Sequence, residues 1–220
     1  NPRIFLKSIL KPLKGLEAVF EYTFDKNIYD YHWYTGQYDY TTIQGGSSKS
    51  FVDDYLRKYK QHTNYNAINV YATYSKKFGD HNFKVMAGFN QESSYQETLD
   101  AYSYNQAVID VPAMGSGTGT IKATDSYSEY AVRGGFFRVN YNYQDKYLLE
   151  VNGRYDGSSK FPKSSRFGFF PSVSAGWQIA QEKFMESTRN WLDGLKIRAS
   201  YGVIGNQNVN PYTFTPRSEE

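Results

Sequence analysis

Alternation of side chains dominates residues 147–206 and constrains what this chain can fold into. The region contains the segments YLLEVNGRYDGSSKF, RFGFFPSVSAGWQIAQEKF and LKIRASYGVIGN. In the first segment Tyr147, Leu149 and Val151 alternate with Glu150 and Asn152. Successive side chains of a β-strand point to opposite faces of a sheet, so each segment is predicted to contain a strand with one apolar and one polar face.

The same alternation predicts about seven strands along the chain. They lie in residues 16–24, 65–76, 83–90, 127–143, 147–156, 167–179 and 195–203. The aromatic content of 18% supports this prediction, because aromatic side chains favour strands. Residues 1–13 contain two prolines and are predicted to be a connection or part of a strand.

Two short connections predict how neighbouring strands pair. Apolar positions are even-numbered before Gly79-Asp80 and odd-numbered after it, and partners across a hairpin share a face, so that loop should hold an even number of residues. Apolar positions are odd-numbered on both sides of 144–146, which predicts a three-residue loop. The predicted pairs are Tyr143 with Tyr147, Tyr141 with Leu149, Val139 with Val151, and Asn140 with Glu150, with Arg138 diagonal to Glu150.

Long and short connections alternate along the chain. Residues 27–60 and 97–126 are predicted to be long loops, whereas 78–81 and 144–146 are tight turns. Alternate connections of an up-and-down meander lie on the same side, so one rim should carry long loops and the other short turns. That asymmetry is typical of outer-membrane barrels. The connection at 181–193 falls on the turn side and is predicted to be helix-like.

Alternation alone leaves open whether the apolar face meets lipid or a protein core. A soluble β-sandwich would give the same pattern. Long strands, mid-strand charges on the polar face, and aromatic residues near strand ends, such as Tyr143, Tyr147 and Tyr201, favour a membrane barrel. No run approaches the roughly 18 apolar residues of a membrane helix. The net charge of +3 is too small to indicate a nucleic-acid partner.

Residue types that bind metals or catalyse reactions are not grouped in the sequence. His32, His62 and His81 lack metal-ligand spacing, and the chain has no cysteine. The GSGTG segment at 115–119 lacks the strand–loop–helix context and the lysine of a phosphate-binding loop. We therefore predict no catalytic residue, no metal site and no cofactor, and we expect that the protein is not an enzyme.

Carboxylates on the polar face are interpreted as lumen charges. Glu150 and Asp156 share that face but lie six residues apart, about 20 Å along a strand. That separation is too large for joint cleavage of a glycosidic bond. We expect the acidic side chains to pair with arginines of the same face, which are Arg138, Arg154 and Arg198.

A dense aromatic run lies within the predicted loop 27–60. Its members are Tyr29, Tyr31, Trp33, Tyr34, Tyr38 and Tyr40. Aromatic faces can stack on sugar rings or anchor a partner protein, and loops often carry function. These residues are therefore candidate substrate-binding residues. The alternative interpretation is an ordinary loop core or rim. The same run motivates a second hypothesis, a soluble or surface-attached sugar-binding β-sandwich.

At residues 147–209 the chain closely resembles the SusC/RagA-type TonB-dependent outer-membrane transporters. The resemblance rests on YLLEVNGRYDGSSKF, RFGFFPSVSAGW, EKFM and LKIRASYGVIGNQNV, and the earlier NYNAINVYATYSKKFGDHNFKVMAGF also fits. The family signature is carried by Arg154, Asp156, Gly157, Ser158, Ser159, Lys160, Phe161, Arg166, Gly168, Pro171, Ser172, Gly176, Trp177, Gly205 and Asn206.

This resemblance implies a 22-stranded antiparallel barrel, filled by an N-terminal plug domain, in the outer membrane of a Gram-negative bacterium. It also implies import of bulky nutrients such as oligosaccharides or peptides, with a SusD-like surface lipoprotein as lid and TonB as energy source. We expect residues 1–220 to be one segment of the barrel domain, without the plug, the N-terminus or the closing strand. The signature should shape a tight outer loop and pack the wall. A siderophore-type TonB-dependent receptor is the alternative.

Overall fold

The fold is built almost entirely from strands. The computed structural model describes residues 1–36, 39–41, 45–49, 54–188, 190–207 and 209. The strands are β1 Arg3–Leu13, β2 Leu16–Thr35, β3 Asp39–Thr41, β4 Ser47–Lys49, β5 Tyr55–Phe78, β6 His81–Tyr104, β7 Ile121–Tyr143, β8 Tyr147–Ser158, β9 Phe167–Gln178 and β10 Lys196–Gly202. Short 3-10 helices span Met114–Ser116, Lys163–Ser165, Ile179–Gln181 and Lys183–Thr188. No helix in these ranges is long and apolar enough to cross a membrane.

Eight strands form one sheet in the order β1-β2-β5-β6-β7-β8-β9-β10, and β3 pairs with β4. This order confirms the predicted all-β, up-and-down architecture. The sheet has one strand more than the seven predicted, because residues 3–13 form β1. Pro12 lies near the end of this outermost described strand, a position where the missing N–H leaves no gap in a central ladder.

The chain divides into two compact units. The first comprises Asn1–Pro2, Asp25–Asn64 and Tyr95–Glu129, and the second comprises Arg3–Phe24, Tyr65–Ser94 and Tyr130–Glu220. Strands β2, β5, β6 and β7 contribute residues to both units. The second unit also contains all of β8, β9 and β10.

The strand register agrees with the sequence prediction. Tyr143 pairs with Tyr147 across the three-residue loop, and Asn140 pairs with Glu150. The β5–β6 turn holds two residues, because β5 ends at Phe78 and β6 begins at His81. The two predicted loop lengths are therefore confirmed, and with them the assignment of side chains to the two faces.

The apolar face of the second unit is open. Along β9 each odd-numbered residue is exposed and each even-numbered residue is half-buried. Phe169 is 53% exposed, and Leu149 and Ile197 on the neighbouring strands are exposed as well. A β-sandwich would cover this face with a second sheet. No second sheet covers it in the described part of this unit, so the sandwich alternative is wrong.

The predicted bounds of the long loops are wrong. β2 continues to Thr35 and β5 begins at Tyr55, so much of the predicted loop 27–60 is strand. Likewise β6 ends at Tyr104 and β7 begins at Ile121, which shortens the predicted loop 97–126. The alternation disappears there because both faces carry a mixture of polar and aromatic side chains. Backbone pairing does not require an apolar face, so the strands continue where the periodicity ends.

Hydrogen bonds join neighbouring connections along the turn side of the second unit. The Gln144 backbone N–H donates to the Asp80 carbonyl oxygen at 2.9 Å, and its side-chain Nε2 donates to Asp80 Oδ2 at 2.7 Å. The Gln178 N–H donates to the Lys146 carbonyl oxygen at 2.8 Å. Gln144 and Asp145 both have positive φ, 53° and 56°, which closes the loop tightly. The turns are thus tied to one another as well as to their own hairpins.

Glu182 lies in the connection between β9 and β10 and contacts residues of the neighbouring strands and turn. Its carboxylate accepts hydrogen bonds from Tyr147 Oη at 2.6 Å and Trp177 Nε1 at 3.0 Å, and Lys146 Nζ lies 3.3 Å away. The hydrogen bond from Tyr147, with those from Trp177 and Lys146, lowers the pKa of Glu182 below its ordinary value of 4.5. As predicted, the connection is helix-like, with 3-10 helices on both sides of Glu182.

Exchanging an apolar-face residue for lysine should cost far more stability than the same exchange on the polar face. Val173 is exposed on the apolar face, whereas Ser174 lies on the polar face opposite Glu150. In the full-length protein in phospholipid bilayers, Val173→Lys should lower the free energy of unfolding by about 2–4 kcal/mol, because lipid cannot solvate the ammonium group. Ser174→Lys is the matched control and should cost much less. Equal losses in denaturant titrations would contradict the face assignment.

The Glu182 carboxylate should give the protein a stability increment that disappears in acid. Its pKa is lower in the folded state, so the increment is complete above the unfolded-state value of about 4.5 and is lost as pH falls through the lower folded-state value. The difference in melting temperature between wild type and Glu182→Gln should therefore be largest at neutral pH and shrink below about pH 4.5. Glu17→Gln, which removes the exposed Lys11–Glu17 pair, is the control and should have a smaller effect. A pH-independent difference between wild type and Glu182→Gln would contradict this role.

Candidate functional site

Tyrosine rings from β2, β5 and β6 meet within the first unit. Tyr31 stacks on Tyr59 with ring centroids 5.3 Å apart, and Tyr29 contacts both rings edge-on at 5.6 and 6.0 Å. Aromatic pairs at such distances attract each other beyond the effect of area burial. We call the group formed by these rings and their charged neighbours the tyrosine–arginine cluster. Its members are Tyr29, Tyr31, Arg57, Tyr59, Asp100 and Tyr102.

Arg57 lies at the centre of the tyrosine–arginine cluster. Its Nε and Nη2 donate to the two carboxylate oxygens of Asp100, each at 2.8 Å. Its guanidinium carbon lies 5.4, 5.6 and 5.2 Å from the ring centroids of Tyr31, Tyr59 and Tyr102. A planar guanidinium can make a two-pronged ion pair and cation–π contacts simultaneously, which a lysine cannot do.

The electrostatics of the tyrosine–arginine cluster favour a permanent ion pair. The hydrogen bonds from Arg57 lower the pKa of Asp100, and those to Asp100 raise the pKa of Arg57. Both groups therefore stay charged across physiological pH while their charges cancel. The pair presents little net charge to a ligand, so the cluster offers aromatic faces and phenol hydroxyls as its main contacts.

The aromatic surface continues along β6. Tyr102 stacks with Tyr104 at 6.3 Å, and Tyr55 lies 5.8 and 5.9 Å from these two rings. Lys122 Nζ is 5.5 Å from the Tyr104 ring centroid. Every described member of this aromatic surface comes from a paired strand, so its position follows from the sheet register.

The predicted substrate-binding residues lie in different places in the structure. Tyr29 and Tyr31 join the tyrosine–arginine cluster, and Trp33 follows them on the same strand face with 59% exposure. Tyr34 points to the other face, because it is one residue further along β2. Tyr38 lies outside the described residues, and Tyr40 is described only as part of β3.

Sequence reasoning missed Arg57, Tyr59, Asp100 and Tyr102, because it assigned them to loops. Their positions nevertheless alternate along each strand, although no apolar face marks the alternation. Tyr55, Arg57 and Tyr59 occupy alternate positions of β5, and Asp100 and Tyr102 occupy alternate positions of β6. The polar face was predicted at odd-numbered positions of β5 and at even-numbered positions of β6. The cluster residues of each strand have the same parity as that face.

A polar network covers the other face of β7, β8 and β9 in the second unit. Arg138 Nε donates to Asn152 Oδ1 at 2.6 Å, and Asn152 Nδ2 donates to Glu150 Oε1 at 2.9 Å. Arg154 pairs with Asp156 on the same strand at 2.9 Å. Arg198 makes no ion pair among the described residues, so the expected pairing of all three arginines holds only for Arg154. Arg138 reaches Glu150 through Asn152.

The polar network lines part of a concave surface, which encloses a volume of about 1080 Å³. Charged and amide side chains such as Arg138 and Glu150 line it together with apolar side chains, among them the ring of Phe170. Gly168 and Gly205 make room for this ring, since a Cβ on Gly205 would lie 2.4 Å from Phe170 Cζ. A polar concave face and an open apolar face on one sheet are what a water-filled barrel lumen and a lipid exterior require.

The signature loop between β8 and β9 is held by backbone hydrogen bonds. The Ser159 N–H donates to the Ala131 carbonyl oxygen at 2.8 Å, and the Ala131 N–H donates to Ser159 Oγ at 2.8 Å. The buried Ser158 N–H donates to the Arg166 carbonyl oxygen at 3.2 Å. Lys160 Nζ lies 4.9 Å from the Tyr130 ring centroid. The loop is therefore attached to β7 as well as to its own two strands.

Other signature residues make close contacts with β9 and β10. A Cβ on Gly157 would lie 2.3 Å from the Phe167 ring, and one on Gly176 would lie 3.3 Å from Lys196 Cε. The Pro171 carbonyl oxygen accepts the Val203 N–H at 2.9 Å, and the Ser172 hydroxyl lies 3.3 Å from Asn152 Nδ2. The remaining signature positions in contact with the polar concave surface are Phe161, Arg166 and Asn206.

The described histidines contact neighbouring side chains. His62 Nε2 lies 3.8 Å from Asp30, and His81 Nδ1 is 2.8 Å from the Tyr141 hydroxyl. Within the described ranges, no three His, Asp or Glu side chains are grouped closely enough to hold a metal ion.

Comparison with known proteins identifies the family. A family model described as "TonB dependent receptor-like, beta-barrel" matches residues 13–218. TonB-dependent receptor P3 of Formosa agariphila is 32% identical over 179 residues, which cover 80% of this chain and 18% of that receptor. TonB-dependent receptor SusC of Bacteroides thetaiotaomicron is 31% identical over 167 residues, covering 73% of this chain and 16% of SusC.

Solved structures share the fold. The structure of the RagAB peptide transporter matches 96% of this chain and 23% of its own matched chain, with a TM-score of 0.83 and 20% identity. The chain therefore spans about a fifth of the relatives that it matches. The resemblance to SusC/RagA-type transporters is confirmed, and the chain belongs to the family of TonB-dependent receptor β-barrels of the outer membrane.

Proposed function

We propose that this chain forms part of the wall of an outer-membrane transporter that imports bulky nutrients, oligosaccharides or peptides, with energy from TonB. The opposed faces of the sheet support the proposal, because lipid can cover the open apolar side while the polar concave side borders a lumen. Residues 1–220 would then be one segment of the barrel domain. In that role the chain provides a scaffold and ligand contacts and does not catalyse a reaction.

The tyrosine–arginine cluster carries the substrate-binding part of the proposal. A transmembrane strand needs about 10 residues. β5 ends at Phe78, next to a short turn, and Arg57 lies near its other end. The distance between these two residues along the strand exceeds the length that a membrane crossing needs. In this family the short turns face the periplasm. The cluster would then lie on the extracellular side of the membrane. Its residues have the parity of the polar faces of β5 and β6, which supports contact with the nutrient.

The composition of the tyrosine–arginine cluster favours a neutral, flat-faced ligand. Exposed rings such as Tyr29 can stack on sugar rings or on aromatic and proline side chains of peptides. Asp100 already satisfies the Arg57 guanidinium, so an anionic ligand would have to compete with an internal carboxylate. This chemistry fits oligosaccharides and uncharged peptides better than acidic nutrients or ferric siderophores, many of which carry negative charge.

We further propose that a SusD-like surface lipoprotein caps this barrel and that TonB acts through a plug domain. Similarity to SusC and to a chain of the RagAB peptide transporter supports this assignment of partners. The signature residues would have a structural role, because their contacts attach the β8–β9 loop to β7 and pack rings against glycines.

Deletion of the full-length gene tests the nutrient class. The deletion strain should lose growth on an oligosaccharide or peptide mixture as sole carbon source and keep growth on the constituent monosaccharides or amino acids, which cross through other pores. Growth with a ferric chelate as sole iron source should be unchanged. Loss of growth only on the iron chelate would favour the siderophore-type receptor and contradict the proposed import of bulky nutrients.

Removing rings from the tyrosine–arginine cluster should weaken substrate binding. In the full-length transporter, Tyr31→Ala and Tyr59→Ala should each raise the substrate Kd by roughly 2- to 10-fold, because each lost ring contact contributes about 0.5–1.5 kcal/mol. Isothermal titration with the nutrient identified by growth measures the change. Tyr127→Ala is the control, since Tyr127 is an exposed tyrosine of β7 that has the parity of the apolar face. If all three variants bind like wild type, the cluster is not a substrate site.

A further inference from the structure

Four aromatic rings form a continuous row on the turn side of the second unit. Tyr143 stacks on Tyr147 at 6.2 Å, Tyr147 stacks on Trp177 at 6.4 Å, and Trp177 meets Phe184 edge-on at 6.5 Å. The first three rings belong to the ends of β7, β8 and β9 on their exposed apolar face. The fourth belongs to the 3-10 helix Lys183–Thr188, outside the sheet. The row therefore extends from the wall onto a connection.

Glu182 fixes the position of this helix relative to the row. It accepts the phenol O–H of Tyr147 and the indole N–H of Trp177, and it is the residue immediately before Lys183. The Met185 N–H in turn donates to the Glu182 carbonyl oxygen at 3.0 Å. Phe184 lies two positions after Glu182, whose side chain has three partners. Its ring is therefore held against Trp177.

Phe184 nevertheless lies mostly uncovered. Its side chain is 65% exposed and has no polar atom, so contact with water over this area would be unfavourable. Tyr147 and Trp177, the rings next to it, belong to the face that meets lipid in this family. Trp191 in the same connection is also exposed. An apolar surface that is continuous with a lipid-facing surface and lies at strand ends has the position of an interfacial aromatic belt.

We propose that the Lys183–Thr188 helix is a lipid anchor, in which Phe184 enters the phospholipid leaflet on the periplasmic side of the membrane. Continuity of the row with the lipid-facing wall supports lipid as the occupant. The anchor would lie in the plane of the interface, as short amphipathic segments do. Glu182 would take over the hydrogen bonds that headgroups or water usually provide to interfacial Tyr and Trp. This inference does not depend on which nutrient the barrel transports.

Depth-dependent fluorescence quenching in vesicles tests the proposal. The full-length receptor is reconstituted in phosphatidylethanolamine–phosphatidylglycerol vesicles, with a single reactive cysteine introduced as Phe184→Cys and labelled with a small environment-sensitive fluorophore. Phospholipids spin-labelled near the headgroup should quench this fluorophore more strongly than phospholipids labelled at the acyl-chain end. Val173→Cys, on the open apolar face in mid-strand, is the positive control and should show the reverse order. Ser174→Cys, on the polar face, should show little quenching by either lipid.

The opposite result would place Phe184 in water or against a protein. If neither spin-labelled lipid quenches the fluorophore, and a membrane-impermeant thiol reagent modifies Phe184→Cys as readily as Ser174→Cys, the anchor does not exist. Phe184→Trp supplies a second measurement that keeps the ring. Relative to wild type, the emission gained by this variant in vesicles should be blue-shifted and quenched by the headgroup-labelled lipid. Added emission with the maximum of water-exposed tryptophan would overturn the proposal.

Discussion

The register of the backbone ladder is the constraint on which the rest of this structure depends. Side chains alternate with a period of two, so a shift of one residue between β7 and β8 would exchange the apolar and polar faces of one strand. The three-residue loop 144–146 prevents that shift by pairing Tyr143 with Tyr147. The open apolar face, the polar network and the aromatic row follow from this alignment together with the β8–β9 register, which pairs Tyr147 with Trp177. In a membrane the same ladder also satisfies the backbone polar groups, which lipid cannot do.

The polar side of the sheet holds many charged groups close to one another. Glu150 is linked to Arg138 through Asn152, and Asp156 is paired with its strand neighbour Arg154. Acidic and basic groups on this face are thus joined over short distances.

Sequence reasoning succeeded where lipid imposes a pattern and failed where it does not. The faces of β8 and β9 and the lengths of two turns were predictable, because an apolar face must alternate with a polar one and parity limits the loop length. The outer parts of β2 and β5 were not predictable, because both of their faces carry polar and aromatic residues and the period vanishes. Tyr29 and Tyr31 were found by composition alone. Arg57 and Asp100 were missed, because their pairing joins positions 43 residues apart in the chain.

The placement of the tyrosine–arginine cluster on paired strands has an evolutionary consequence. Loop-borne binding sites can change by insertion and deletion, because their backbones have no partner to keep in step. Here a one-residue insertion next to Tyr59 would turn its ring to the opposite face and separate it from Tyr31, which lies on a different strand. Receptors that use this cluster as the proposed substrate site should therefore diversify their ligand preference by exchanging side chains at fixed positions, while length variation concentrates in connections such as 105–120.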